Sequence, residues 1–325
     1  MDIFLNVLLL IAGFIALIKG ADLFVDGSSA LAKNFNVPGV IIGLTIVAMG
    51  TSAPELAVST SAAIKGANEI ALSNVTGSNI FNLLGVLGIC AMIHPLPIDR
   101  TIMKRDLPIS ITTALLTLLA VGLPILMKGG ITSAAMSDNV GEISRIFSII
   151  LLILFAGYIT MLIVCARKGH HQDDTAQRKP MWKCALLILT GLACIIAGGQ
   201  FVVNSAKVIA SALGMSETLI GLTVVAIGTS LPELVTSVVA SRKGENGLAV
   251  GNVVGSNIFN ILFILGISGA IHPITVNLAS VIDLAVMTAV SIITMIFART
   301  KNIGRAEGGV MLALYAADVV FAVLR

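Results

Sequence analysis

Long apolar runs alternate with short polar breaks along the whole chain. A transmembrane helix needs about 20 predominantly apolar residues. The pattern predicts ten such segments, at roughly residues 3–32, 38–64, 69–93, 105–127, 145–166, 184–210, 216–241, 247–271, 278–298 and 308–324. The longest polar break, residues 167–183 (RKGHHQDDTAQRKPMWK), is too short for a domain and divides the spans into two sets of five. The first run carries Asp2 and no basic residue ahead of it, and no small-residue cleavage site follows. It is therefore expected to remain as a span rather than leave as a signal peptide. The expected fold class is an all-α membrane protein.

The two sets are related. With an offset of 178 residues, residues 43–82 lie over 221–260 without a gap and share 25 identities in those 40 positions. Pro54 meets Pro232, Glu55 meets Glu233, and GSNIFN at 77–82 meets GSNIFN at 255–260. An odd number of spans per repeat makes the second copy enter from the opposite face, an inverted repeat of the kind common in secondary transporters. The expected organisation is residues 1–166 as the first five-helix repeat (core motif about 43–88), 167–183 as a linker, and 184–325 as the second repeat (core motif about 221–266).

Composition agrees with this reading: 57% of residues are hydrophobic and 11% charged, against about 25% charged in soluble domains. No basic patch interleaved with aromatics suggests nucleic acid. Loops after odd-numbered spans hold 14 basic residues, from Lys33 to Arg305. The opposite loops hold only Lys65, Lys128, Arg145 and Arg325. The positive-inside rule then puts the odd loops in the cytoplasm and both termini outside. Cys90, Cys165, Cys184 and Cys194 lie in or beside apolar runs without metal-ligand spacing, and read as small apolar residues.

The chemistry lies in the repeated segment, GTSAPEL at 50–56 and GTSLPEL at 228–234. Proline donates no amide hydrogen and clashes with the carbonyl four residues back, so span 2 is expected to kink or unwind near 48–52, with the same break in span 7. Thr51 and Ser52 share a helical face with Glu55, as Ser78 does with Asn82. Thr229, Ser230, Glu233, Ser256 and Asn260 repeat the set. All offer oxygen, and these four segments contain no intramembrane Lys or Arg to pair the glutamates. A carboxylate at mid-membrane costs about 2.5–3.5 kcal/mol on the insertion scale. A bound cation removes that cost, and carboxylate, hydroxyl, amide and carbonyl oxygens suit a hard cation such as Ca²⁺.

These motifs, with SNVTGSNIFN at 73–82 and GNVVGSNIFN at 251–260, resemble the two alpha repeats of the cation/Ca²⁺ exchanger superfamily, and most closely the prokaryotic sodium/calcium exchangers. The resemblance implies a diamond-like cluster of cation sites among spans 2, 3, 7 and 8. It implies Glu55 and Glu233 as central Ca²⁺ and Na⁺ ligands, with Thr51 and Thr229 giving carbonyl or hydroxyl oxygens. Ser52, Ser78, Ser230 and Ser256 would complete flanking Na⁺ positions. Ala48 and Ala226 would offer backbone carbonyls, and Asn82 and Asn260 would line the centre. Spans 1 and 6 would slide against the core. Some relatives carry Asp where this chain has Asn260. The chain lacks the long cytoplasmic insert of animal exchangers, so no separate Ca²⁺-sensing domain is expected.

The implied activity is Ca²⁺/Na⁺ antiport in a prokaryotic cytoplasmic membrane, with transported ions instead of a cofactor, the bilayer as surroundings and no obligate protein partner. H⁺/Ca²⁺ or other divalent exchange is the alternative, followed by a passive cation channel. An enzyme is not expected: a serine hydrolase needs a base, and no histidine lies at mid-membrane. Asp22 and Asp26 either line the ion path or pair with Lys19 or helix ends. Asp318 reads as an interhelical hydrogen-bonding group or a second cavity residue, His94 and His272 as turn residues, and His170 and His171 as solvated.

Overall fold

Backbone polar groups cannot be left bare in hydrocarbon, so a chain this apolar satisfies them within helices. The computed structural model describes residues 3–127, 135, 136, 138–168, 178–215 and 226–324. Helix α1 is Ile3–Asn34. Helices α2 (Gly39–Thr51) and α3 (Ala53–Ile64) form a pair bent by 49°. Then come α4 (Glu69–Ile93), α5 (Leu107–Met127), α6 (Arg145–Lys168) and α7 (Met181–Ala212). The short α8 (Ala226–Thr229) leads into α9 (Leu231–Arg242). The chain ends with α10 (Asn246–Ile271), α11 (Leu278–Ala298) and α12 (Arg305–Leu324).

Among the described residues eight helices are long and apolar enough to cross a membrane, or nine with the bent α2–α3 pair taken as one span. They correspond to nine of the ten segments expected from the hydrophobic pattern. In the remaining one, span 7, residues 216–225 lie outside the described residues. So do 169–177 of the linker, with His170 and His171, as well as Lys128 and Arg325.

The chain is not purely helical. Strand β1 (Leu96–Pro97) pairs antiparallel with β4 (Asn302–Ile303), and β2 (Asn139–Ile143) pairs antiparallel with β3 (Ile274–Asn277). Hydropathy alone does not reveal these short caps, because they lie at the span ends. Within the helices, π-helical turns interrupt α2 at Gly43–Val47, α4 at Phe81–Val86 and α10 at Asn260–Leu265. Such turns have no hydrophobic signature either.

Burial separates inner from outer helices. In the most apolar stretches of α4 and α10, 78% and 94% of residues are buried; the shares in α1, α6 and α12 are 22%, 17% and 11%. The outer helices turn Ile, Leu and Phe outward, as at Phe4, Ile15, Ile146 and Ile153.

The two 32-residue helices α1 and α7 pack backbone to backbone. A Cβ on Gly13 would lie 2.9 Å from the Gly198 carbonyl oxygen, one on Gly20 2.8 Å from that of Gly191, and one on Gly27 2.9 Å from Ile188. Rising numbers on one helix meet falling numbers on the other, so the pair is antiparallel. Small residues allow this approach where hydrophobic collapse supplies no drive.

Candidate cation site

The prolines set the local geometry. The chain breaks at Ser52 (φ −82°, ψ 11°) and at Ser230 (φ −92°, ψ 7°). Pro54 and Pro232 then occupy the first turns of α3 and α9, where a missing amide hydrogen breaks no helical bond. The first break falls at the edge of the expected 48–52 stretch. Glu55 and Glu233 follow in those same first turns, where the partial positive charge of a helix N-terminus favours an anion.

The structure brings the expected side chains together. Thr51, Ser52, Glu55, Asn82, Ser230, Glu233, Ser256 and Asn260 have no exposed surface, and Ser78 is buried. Thr229 is half-buried. The hydroxyl of Ser52 donates to Glu233 Oε1 at 2.7 Å, and that of Ser230 donates to Glu55 Oε1 at 3.0 Å. Each carboxylate is thus held by the break in the other half of the chain.

The backbone carbonyl of Ala48 is not bare. It accepts from the Ser52 amide at 3.0 Å and the Ser256 hydroxyl at 3.4 Å, with the Thr51 hydroxyl oxygen 3.3 Å away. The helix persists to Thr51, one turn further than an unwound 48–52 segment would allow. Ala226 begins α8.

Four buried oxygens at this centre lack a hydrogen-bond partner: Glu55 Oε2, Glu233 Oε2, Asn82 Oδ1 and Asn260 Oδ1. Leaving a buried acceptor unpaired costs about 1–3 kcal/mol, and more for a charged group. All four are acceptors, so the missing partner is electropositive. Among the described residues, no cluster of three or more His, Cys, Asp or Glu side chains forms. A cation here takes its other ligands from neutral oxygens, which favours hard ions over Zn²⁺ or Cu⁺.

The description "Sodium/calcium exchanger protein" belongs to a family whose pattern matches residues 5–164 and 183–324. The chain belongs to the sodium/calcium exchanger family. The exchanger is 36% identical to the putative antiporter CaxA of Alkalimonas amylolytica over 94% of each chain. It is 34% identical to the sodium/calcium exchanger MaX1 of Methanosarcina acetivorans over 97% of each. The inner membrane protein YrbG of Escherichia coli is 35% identical over 92% of this chain and 91% of its own. Among solved structures, the sodium-calcium exchanger NCX_Mj soaked with 2.5 mM Na⁺ and 10 mM Sr²⁺ superposes with a TM-score of 0.83 at 32% identity, covering 98% of this chain and 99% of that one. The exchanger is an integral membrane protein of a transporter family.

A surrounding layer of asparagines and serines escaped the motif reading. Asn74 donates to Ser59 Oγ at 2.9 Å and to the Glu55 carbonyl at 3.2 Å. Asn252 donates to Ser237 Oγ at 2.9 Å and to the Glu233 carbonyl at 3.4 Å, and accepts from Thr51 at 3.0 Å. Asn79 and Asn257 bridge α4 and α10. Their signal was present: all six residues are identical between the two copies.

Asp22 and Asp26 pair at a helix end, one of the readings expected for them. Lys243 Nζ lies 2.8 Å from Asp26 and 3.4 Å from Asp22, joining α1 to the end of α9. Lys19, on the helix of the two aspartates, is not that partner; the lysine comes from the other half of the chain. Nearby, Ser29 donates to Glu245 at 2.5 Å. His94 and His272 take extended backbone conformations at helix ends, as turn residues do, and Asp318 is half-buried on α12. The four cysteines are free thiols, with Cys90 and Cys184 buried and Cys165 and Cys194 partly so.

Proposed function

We propose that this exchanger carries Ca²⁺ in exchange for Na⁺ through a single centre formed where α3, α4, α9 and α10 meet. The observation that carries the reading is the set of four buried, unpartnered oxygens: two glutamate and two asparagine. Thr51, Thr229, Ser52, Ser230, Ser78 and Ser256, with the carbonyl of Ala226, supply the neutral oxygens around them. Two ionised carboxylates are neutralised by one Ca²⁺ or by two Na⁺. The two loads therefore exclude each other, which is the condition for exchange.

The architecture is ten spans in two inverted repeats of five. Support comes from α1 and α7, repeat mates that run antiparallel through their glycine seam. It also comes from the strand pairs: β1 and β4 both follow odd-numbered spans, and β2 and β3 both follow even-numbered ones. The excess of basic residues in odd loops then puts both termini outside a prokaryotic cytoplasmic membrane.

Transport in Na⁺-loaded proteoliposomes tests the reading. After dilution into Na⁺-free medium, radiolabelled Ca²⁺ is expected to accumulate, and to fail to do so with K⁺ inside or with only a pH gradient. Uptake driven by pH alone would give the coupling to H⁺. Ca²⁺ entry without any internal counter-ion would make the protein a channel.

A further inference from the structure

Asn79 and Asn257 are buried, yet the four unpartnered oxygens of the candidate site belong to other residues. We propose that Asn79 and Asn257 are positioning residues that fix which end of the Asn82 and Asn260 amides faces the cation. The inference rests on the cation-site reading above.

A carboxamide has two ends of similar size and opposite character: the oxygen accepts, and the NH₂ only donates. An asparagine beside a cation therefore has two orientations of nearly equal packing. One binds the ion and the other repels it. Here hydrogen bonds remove the choice, working outward from two main-chain carbonyls.

The Asn257 amide lies 3.2 Å from the backbone carbonyl oxygen of Asn79. A carbonyl can only accept, so the end of Asn257 that meets it is the NH₂. Asn257 Oδ1 consequently faces Asn82, at 3.1 Å. An acceptor in that place requires the NH₂ of Asn82, which leaves Asn82 Oδ1 turned away from the bond. That oxygen is one of the four without a partner.

The other copy repeats the sequence of constraints. Asn79 donates to the Asn257 backbone carbonyl at 3.2 Å. Its Oδ1 accepts from Asn260 Nδ2 at 3.0 Å, and Asn260 Oδ1 is left unpartnered. The control is crossed: the second half of the chain orients the amide of the first, and the first orients that of the second. Each arm has its own carbonyl anchor, so each can be broken alone.

The test is equilibrium binding of radiolabelled Ca²⁺ to purified protein whose fold is checked by size-exclusion chromatography. Asn257→Ala and Asn79→Ala are each expected to weaken Ca²⁺ binding by about 10–100-fold, the size seen when groups that orient metal ligands are lost. Asn→Ser replaces either alanine variant that does not fold. Asn82→Asp presents oxygen at both ends and has no orientation to lose. Adding Asn257→Ala to Asn82→Asp should therefore change affinity by about twofold or less, while adding Asn79→Ala should keep its full penalty. Asn260→Asp should rescue Asn79→Ala and leave Asn257→Ala unrescued.

Equal penalties in every background would mean a merely structural role and overturn the proposal, as would wild-type affinity in both folded single variants. Glu233→Gln is the control for the underlying site. Full Ca²⁺ binding there would overturn the site reading itself. Loss there with wild-type binding in Asn257→Ala would overturn only the positioning role.

Discussion

Ser52 donates to Glu233, and 178 residues on Ser230 donates to Glu55. The bonds of Asn79 to Asn257 and of Asn260 to Asn79 have mates in the same way. At the flanks the matching stops. Lys243 binds Asp26 and Asp22, whose counterparts in the second copy are Asn204 and Gln200. Asp106, held by Arg105 and by the Tyr158 hydroxyl, closes its cluster within the first half of the chain. The difference has a physical basis. At the centre each half supplies the other's hydrogen bonds inside a dry interior, so a change in one copy strands a polar group in the other. At the flanks each charge cluster closes on itself or reaches water, and the copies have been free to diverge.

Substitutions at the centre and at the flanks should therefore differ in kind, and the largest effect belongs to the carboxylates. Glu55→Gln or Glu233→Gln is expected to cut Na⁺-driven Ca²⁺ uptake by about 100-fold or more, above the range for groups that only orient ligands, while the protein elutes as wild type. Matched losses from the two variants would sharpen the comparison, and a loss from only one would break it. Asp106→Asn comes next. It leaves Arg105, 18% exposed, without its partner and should lower stability by about 3 kcal/mol, seen as a fall in melting temperature.

Gly191→Ala tests the seam between α1 and α7. Its Cβ would lie 2.5 Å from the Phe24 amide nitrogen and 2.7 Å from the Gly20 carbonyl oxygen. Backbone must shift, at a cost of about 1–3 kcal/mol, so the melting temperature should drop. No side chain of the seam supplies an oxygen to the centre, so Ca²⁺ affinity should hold. The smallest effect is expected from Lys243→Gln. Its ion pairs are 31–48% exposed, and such pairs contribute about 0–1 kcal/mol. A loss of Ca²⁺ binding as large as that from Glu233→Gln would erase the distinction between centre and flank.

Much of this was legible in the sequence because of duplication. Pro54 and Pro232 located the breaks, and the glutamates behind them located the buried charge. The copy-to-copy identity marked Asn74, Asn79 and their mates, but motif reading stopped at the residues expected to touch the ion. The second layer emerges only when α4 and α10 are packed together. The π turns and the strand caps leave no hydrophobic trace. The Lys243 pairing joins residues more than 200 positions apart, and no periodicity links them. Ala48 shows the limit of a local rule: Pro54 removes the amide that would reach the Gly50 carbonyl, while the Ser52 amide and the Ser256 hydroxyl still occupy that of Ala48.

The central claim is that the two carboxylates and two amide oxygens hold Na⁺ and Ca²⁺ in competition. Equilibrium binding of radiolabelled Ca²⁺ to the purified protein, titrated with Na⁺ at constant ionic strength, tests it most directly. The account predicts saturable binding that Na⁺ displaces and that the Glu55→Gln/Glu233→Gln double variant lacks. Na⁺-displaceable Ca²⁺ binding that survives in the folded double variant would contradict it.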